Sequence, residues 1–436
     1  MRDAKTNKTL LVLGLMAFWC NGDSFAAAPL LVEIAKDLGL DISQAALSVT
    51  AYMLPFGVFT LIFGPLADRY GKARVINLAA FGTAIFSGLG AVAFDLPSLC
   101  LIRAINGCFA AAILPVTMSL VGDLFEANPK KLQTALGKVF GIAFLGGASG
   151  TVIGGTLAYL GSWRLVYLTY GIAELFIALS MLRLLERGPG TTSVLRFKDT
   201  YKSALTNRGL LKAVAIIFLM GLSVSGSFAY AGKFVEERTG LNILLVGFVL
   251  AFFGIASVVG GRITPALRTR LGSKLFILAG VLACSSWALM GAWHSPVLLC
   301  ISLAGFGFGF IIIQPTLVGT AQQQMPNHRG AAMSVASFAM LTGGGLGTFL
   351  NGVSLNAWGY EVVFIFSATL ILLAGILTSL LATSTTLTQR ADQKDRHTPG
   401  KVRKTDDTFG HDNKTHDSSR SLGRGRQHSV ERAGIQ

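Results

Sequence analysis

The sequence predicts an all-α membrane protein: twelve transmembrane helices arranged as two parallel-repeat halves of six. Three observations carry this. Of 436 residues, 52% are hydrophobic and only 14% charged, where a soluble domain carries about 25% charged residues. The apolar residues fall into blocks of roughly 20, the length a helix needs to cross a ~30 Å hydrocarbon core. The chain also contains itself twice. "DSFAAAPLLVE" (23–33) recurs as "GSFAYAGKFVE" (226–236) at an offset of 203, and "GGASGTVIGG" (146–155) recurs as "GGGLGTFLNG" (343–352) at an offset of 197. Pro97 and Pro115 bracket the fourth block as Pro296 and Pro315 bracket the tenth. Order and spacing hold across six spans per half, so the repeat is parallel.

The N-terminal half, residues 1–182, holds blocks at 9–32, 44–66, 75–94, 97–121, 135–159 and 165–182. A polar, basic linker at 183–210, broken by "RGPGTTS", joins it to the C-terminal half at 211–384. The blocks there run 211–232, 244–264, 275–293, 296–320, 330–353 and 362–383. Residues 385–436 contain eleven basic and seven acidic residues with almost nothing apolar. Such a stretch cannot bury enough surface to offset its ordering entropy, so a disordered basic tail is expected. It is read as solvated, with weak association to anionic lipid heads as the alternative.

The net charge of +15 reports topology rather than a nucleic-acid partner. With the N-terminus placed in the cytoplasm, the cytoplasmic segments before residue 385 hold 21 Lys and Arg and the outer loops four. That asymmetry is the positive-inside signature, and it predicts both termini in the cytoplasm. The five cysteines lie inside or at the rims of the blocks. Neither a disulfide framework nor a metal site is expected from their spacing.

The first block raises a question, because Asp23 is the only charge between Lys8 and Glu33. A signal peptide cleaved after "AAA" would explain the basic start and apolar middle. The duplication argues against it: the copy of "SFAAA", "SFAYA", lies deep in the chain, and cleavage would remove one span of a symmetric bundle. Asp23 is therefore read as an acid inside a span, where ionisable groups are expensive and functional.

Between the second and third blocks, "GPLADRYGKARVI" (64–76) must leave the membrane, turn and re-enter. Gly64 permits close helix contact, Gly71 supplies the turn, and Asp68 lies among Arg69, Lys72 and Arg74 as a compact charge cluster. The second-half copy, "GRITPALRTRLGSK" (261–274), has Pro265 where the acid would be. Any latch built on this loop is asymmetric.

In the fourth block Arg103 is buried in lipid unless it faces the bundle and has a partner. Depth arithmetic nominates one. Asp23 follows Lys8 by 15 residues, roughly 22 Å, and Arg103 is six residues from Pro97, roughly 9 Å, at 1.5 Å per residue. In a ~30 Å core the two lie at nearly the same depth. Asn21, two residues before Asp23, and Asn106, three after Arg103, are grouped with them as polar site candidates. The fifth block carries glycine at 146, 150 and 154 on one helix face, with Gly155 beside it, which allows close backbone approach. Glu174, in the sixth block, has Ile371 as its counterpart at the 197 offset. It can bind protons or substrate cations, or serve structure with a polar neighbour; both readings stay open.

These segments resemble the motifs of the major facilitator superfamily. The loop matches G-x-x-x-D-[R/K]-x-G-[R/K]-x-[R/K] at Gly64, Asp68, Arg69, Gly71, Lys72 and Arg74, a cluster that in the family latches the halves on the cytoplasmic side. Arg103 and Gly107 match R-x-x-x-G. "GGASGTVIGG" resembles the G-x-x-x-G-P-x-x-G-G of drug:proton antiporters, with Thr151 in place of the proline. The resemblance covers about residues 9–384 and is closest to the twelve-span drug-proton and arabinose-efflux branch. It implies a cell-membrane secondary transporter that works by alternating access and exports small molecules in exchange for protons.

Asp23, Arg103 and Glu174 are then the proton-coupling candidates. The energy source is the proton gradient, with no cofactor or metal; the expected partners are a small-molecule substrate, protons and lipid, in a monomer. A proton symporter or uniporter for a metabolite is the alternative, kept by Thr151. A transport-inactive sensor signalling through the tail is a third reading. An intramembrane enzyme needs nucleophile and base together in a span. All six His lie outside the blocks or near their ends, and neither G-x-S-x-G nor H-E-x-x-H occurs.

Overall fold

A computed structural model describes residues 2–125, 129–186, 197–292, 294–325 and 329–397. Residues 1–387 make one compact unit, and 388–436 a separate one. The expected disordered tail lies outside the described residues from 398 on, and the stretch before it is helical as far as His397. The "RGPGTTS" part of the linker is also outside them.

Among the described residues the fold is a bundle of apolar helices. The N-terminal half contains α1 (Arg2–Leu38), α2 (Leu47–Tyr70), α3 (Lys72–Leu89), α4 (Leu96–Leu124), α5 (Pro129–Leu160) and α6 (Trp163–Leu184). The C-terminal half contains α7 (Arg208–Thr239), α8 (Ile243–Leu271), α9 (Lys274–Met290), α10 (Pro296–Gln324), α11 (Arg329–Trp358) and α12 (Tyr360–Thr383). Eleven of these are long and apolar enough to cross a membrane, and α9, at 17 residues, is a shorter apolar helix. Seventeen residues span roughly 25 Å, the lower end of what a crossing requires.

The helix ends follow local chemistry. Asp95 caps α4 by accepting from the Ser98 N–H at 2.9 Å, and Asn207 and Asn242 accept at the starts of α7 and α8. Such caps satisfy backbone donors that the first turn leaves unpaired. Gly71 ends α2 at φ +93°, a conformation nearly closed to residues with a Cβ. Large apolar side chains remain exposed along α3, α6, α9 and α12, among them Ile85, Phe176, Leu278 and Ile365. Exposed aliphatic faces of this extent suit lipid, not water.

The repeat is visible in the packing. Gly107 of α4 lies against the Tyr52 carbonyl of α2, and Gly307 of α10 against the Phe253 carbonyl of α8. Gly146 and Gly150 of α5 press on the carbonyls of Phe18 and Gly22 in α1; Gly343 and Gly347 of α11 press on those of Phe218 and Leu222 in α7. The α5-to-α11 offset is 197, as the sequence repeat has it. The α1-to-α7 offset is 200, although the duplicated "SFA" motif aligns at 203. The first-half motif therefore sits about one turn out of step with its copy, at a level where α7 contains the π-helical turn Gly221–Ser225. In packing terms the counterpart of Asp23 is Ser223, not the Gly226 that sequence alignment selects.

The halves meet along two seams, α2 with α11 and α5 with α8. Ser43, just before α2, accepts from Asn356 Nδ2 at 2.9 Å, Thr50 donates to the Gly345 carbonyl at 3.2 Å, and Thr60 to that of Ser334 at 3.3 Å. On the other seam a methyl group at Gly155 would lie 2.7 Å from the Ile243 carbonyl, and one at Gly247 2.5 Å from that of Thr151. We call the side carrying the N-terminus and the 69–74 loop the basic face. Toward the opposite face α1 and α7 are sealed, with residues 26–32 and 226–232 all buried. Nearer the bundle middle Phe18, Asn21, Ser24, Phe25, Phe218 and Ser225 are partly exposed, so the bundle is closed on the opposite face. At the basic face the linker helix Phe197–Thr206 ties the seam. Tyr201 Oη donates to the Leu61 carbonyl at 2.6 Å, and burial pushes its phenol up to about 12.

Candidate functional site

The centre of the N-terminal half buries charge. Arg103 and Asp23 are 2% and 3% exposed, and Arg103 Nη1 lies 2.5 Å from Asp23 Oδ2. Burying both ions costs several kcal/mol each, offset only where geometry and further contacts are good. Here the guanidinium also lies 4.0 Å from the centre of the Tyr52 ring and 5.4 Å from that of Tyr167, contacts that attract a cation to an aromatic face. Asn106 Nδ2 stands 3.4 Å from Asp23 Oδ2 and donates to Ser87 Oγ at 3.1 Å. Ser87 stands beside Glu174, which is 1% exposed. Five helices thus converge: α1 supplies Asp23, α2 Tyr52, α3 Ser87, α4 Arg103 and Asn106, and α6 Glu174.

Asn21 faces elsewhere. Its amide donates to the Ala143 carbonyl of α5 at 2.9 Å, where Gly147 leaves room for it. Gly150 and Gly154 admit α1 close to α5, while Gly155 turns to α8. The glycine run therefore packs α5 against its own half on one side and across the seam on the other. Thr151 keeps its hydroxyl buried without a hydrogen-bond partner.

Among the described residues the C-terminal half has no such charge at this level. In the packing register Ser87 corresponds to Trp287 and Asn106 to Phe306. Where the former pair hydrogen-bonds, the latter stacks at 4.0 Å between centroids. Trp287 Nε1 donates to Ser227 Oγ at 2.9 Å. Phe25 of α1 reaches across to Phe228 and Phe253, at 5.8 and 6.1 Å. One wall of the interior is charged and the other aromatic.

At the basic face, Lys72 pairs with Asp123 of α4 at 2.7 Å, and Asp68 lies beside both. Arg69 sits 5.2 Å from the Tyr70 ring, and Arg74 is exposed. Gly64, one turn before Asp68, is 3.7 Å from Ser334 Oγ of α11, measured from where a Cβ would stand. The loop thus abuts the seam between halves. Sequence reasoning did not single out Asp123, Ser87, Tyr52 or Tyr167. Only Asp123 left a signal, as an acid close to the basic end of the fourth block.

Comparison with known proteins agrees with this architecture. The Major Facilitator Superfamily profile matches residues 13–348. The puromycin resistance protein of Streptomyces alboniger is 30% identical over 324 residues, 72% of this chain and 62% of that protein. The cephamycin export protein of Amycolatopsis lactamdurans is 30% identical over 323 residues, 71% and 64% of the two chains. This chain thus spans less than two thirds of the length of both. A solved structure of the nucleoside transporter NupG superposes with a TM-score of 0.68 at 14% identity, covering 86% of this chain and 98% of that one. This chain belongs to the major facilitator superfamily and is a multi-pass membrane transporter.

Proposed function

We propose that this superfamily member is a proton-coupled exporter that moves a small molecule by alternating access between its two halves, in the cell membrane with both termini cytoplasmic. The observation that carries the reading is the buried Asp23–Arg103 pair. A carboxylate so placed can hold the guanidinium or bind a proton, and the two choices exclude one another. Cargo that competes with the proton at this site leaves as protons enter, which is exchange. The Lys/Arg asymmetry supports the orientation, and the resistance and export names of the relatives support the outward direction. The closed opposite face is one of the two states alternating access requires. The charge cluster of Asp68, Lys72 and Asp123, set at the seam, fits a latch that opens when the halves rock.

The test is accumulation by reconstituted vesicles under an imposed pH gradient, with puromycin as the first probe and protein-free vesicles as baseline. Exchange predicts accumulation above baseline when the lumen is acidic. Accumulation only with an alkaline lumen would identify a symporter. That second reading has one observation in its favour: Thr151 stands where the antiporter motif has proline.

A further inference from the structure

The bundle buries a second carboxyl that the ion pair does not use. Glu174 has one oxygen, Oε2, with no hydrogen-bond partner, and one turn earlier on α6 the Tyr170 hydroxyl is likewise unpartnered. The groups facing Glu174 are Cys20 and Asp23 from α1, Ser87 from α3, Arg103 from α4 and Tyr170 from its own helix. Among the described residues α5, its remaining neighbour, adds no charged group. Arg103 is the single cation in that set, and its Nη1 is engaged with Asp23 at 2.5 Å. Two carboxyls therefore stand against one guanidinium in a site without water-exposed surface. Leaving both ionised would bury an uncompensated charge, which proteins avoid by protonation. The two acids are also joined through neighbours: Asn106 bridges Asp23 and Ser87, at 3.4 and 3.1 Å, and Ser87 stands beside Glu174.

We propose that Glu174 is a second proton-binding site, linked to Asp23 through Asn106 and Ser87, so that the two carboxyls hold one exchangeable proton that resides on Glu174 while Arg103 pairs with Asp23. The proton arrives from water, forms an O–H bond on the Glu174 carboxyl and returns to water; no other bond changes. This rests on the proton-coupled reading above, and it gives the proton shared with Asp23 a resting place on the unpaired acid. The link through Ser87 lets occupancy of one carboxyl be felt at the other without direct contact between them.

Infrared spectroscopy of the purified full-length protein in lipid tests it, through the carbonyl-stretch band of a protonated carboxylic acid at neutral pH. Exposed acids are ionised there and contribute nothing to the band. The wild type should show it, and Glu174→Gln, nearly the same shape, should lose it completely. Ser87→Ala should retain the band at a shifted frequency, because the polar hydroxyl beside the carboxyl is gone. A band that survives Glu174→Gln, one unmoved by Ser87→Ala, or none in the wild type would each overturn the proposal. The readout needs neither cargo nor gradient. A failure of proton coupling itself shows instead in wild-type vesicles, as no response of accumulation to an imposed gradient.

Discussion

Asp23 and Arg103 lie 80 residues apart in sequence and meet at 2.5 Å in the buried centre of the N-terminal half. Asp23→Asn keeps the size of that side chain and removes its titration. Transport driven by a pH gradient should be abolished, while cargo binding survives in weakened form because the amide still donates and accepts hydrogen bonds. Wild-type rate and pH profile in the vesicle assay would remove Asp23 from the mechanism.

Removing the other partner should cost more. Arg103→Ala leaves a buried carboxylate without its counter-charge, a loss of about 3–5 kcal/mol. In Asp23→Asn the stranded guanidinium still rests on the Tyr52 ring, which softens the loss. The double variant should be more stable than Arg103→Ala alone, since no unpaired ion of that pair remains. Thermal denaturation of the four proteins closes the cycle; simple additivity of the two single losses would refute the coupling.

At the basic face, Asp68→Asn should shift the balance between inward-open and outward-open states without preventing insertion. Spin-label distances across that face should change. Distances and transport that both match the wild type would show that the cluster is no latch here. Asp123→Asn should act in the same direction with little change in stability, because Asp123 is more than half exposed and a pair that water screens in this way contributes about 1 kcal/mol or less.

Tyr201 gives a pH signature. Its phenol, ordinarily near 10, is held at about 12 by burial, so the folded state favours the neutral donor. The stabilisation is complete below about pH 10 and disappears as pH rises through the folded value. Tyr201→Phe removes the bond to Leu61, about 0.5–1.5 kcal/mol. The gap in Tm between the two proteins should be constant at neutral pH and should close in strong alkali. A gap that widened there would contradict this.

Both termini should report the cytoplasm. A reporter fused after Gln436 that becomes accessible from outside intact cells would overturn the orientation.

The spans, the two halves and the depth match between Asp23 and Arg103 were legible in the sequence because each rests on a long-range regularity. Hydrocarbon thickness sets block length, duplication sets the offsets, and an ion in lipid requires a partner at its own level. Ser87, Tyr52 and Tyr167 were not legible. A single hydroxyl or ring in an apolar block has no period, and which face it occupies depends on how helices rotate against their neighbours. The register of α7 was misread for a related reason. Alignment follows identical letters, whereas Gly343 and Gly347 pack on whichever carbonyls the helix presents.

The ion pair has an electrical consequence. Asp23 and Arg103 sum to zero charge, so carrying them together across part of the membrane field requires no net electrical work. The field is worth about 2.3 kcal/mol per elementary charge per 100 mV, and it therefore acts on what binds and leaves rather than on the pair. Current per transport cycle should then count only protons and cargo charge, and the return of the pair itself should be insensitive to voltage.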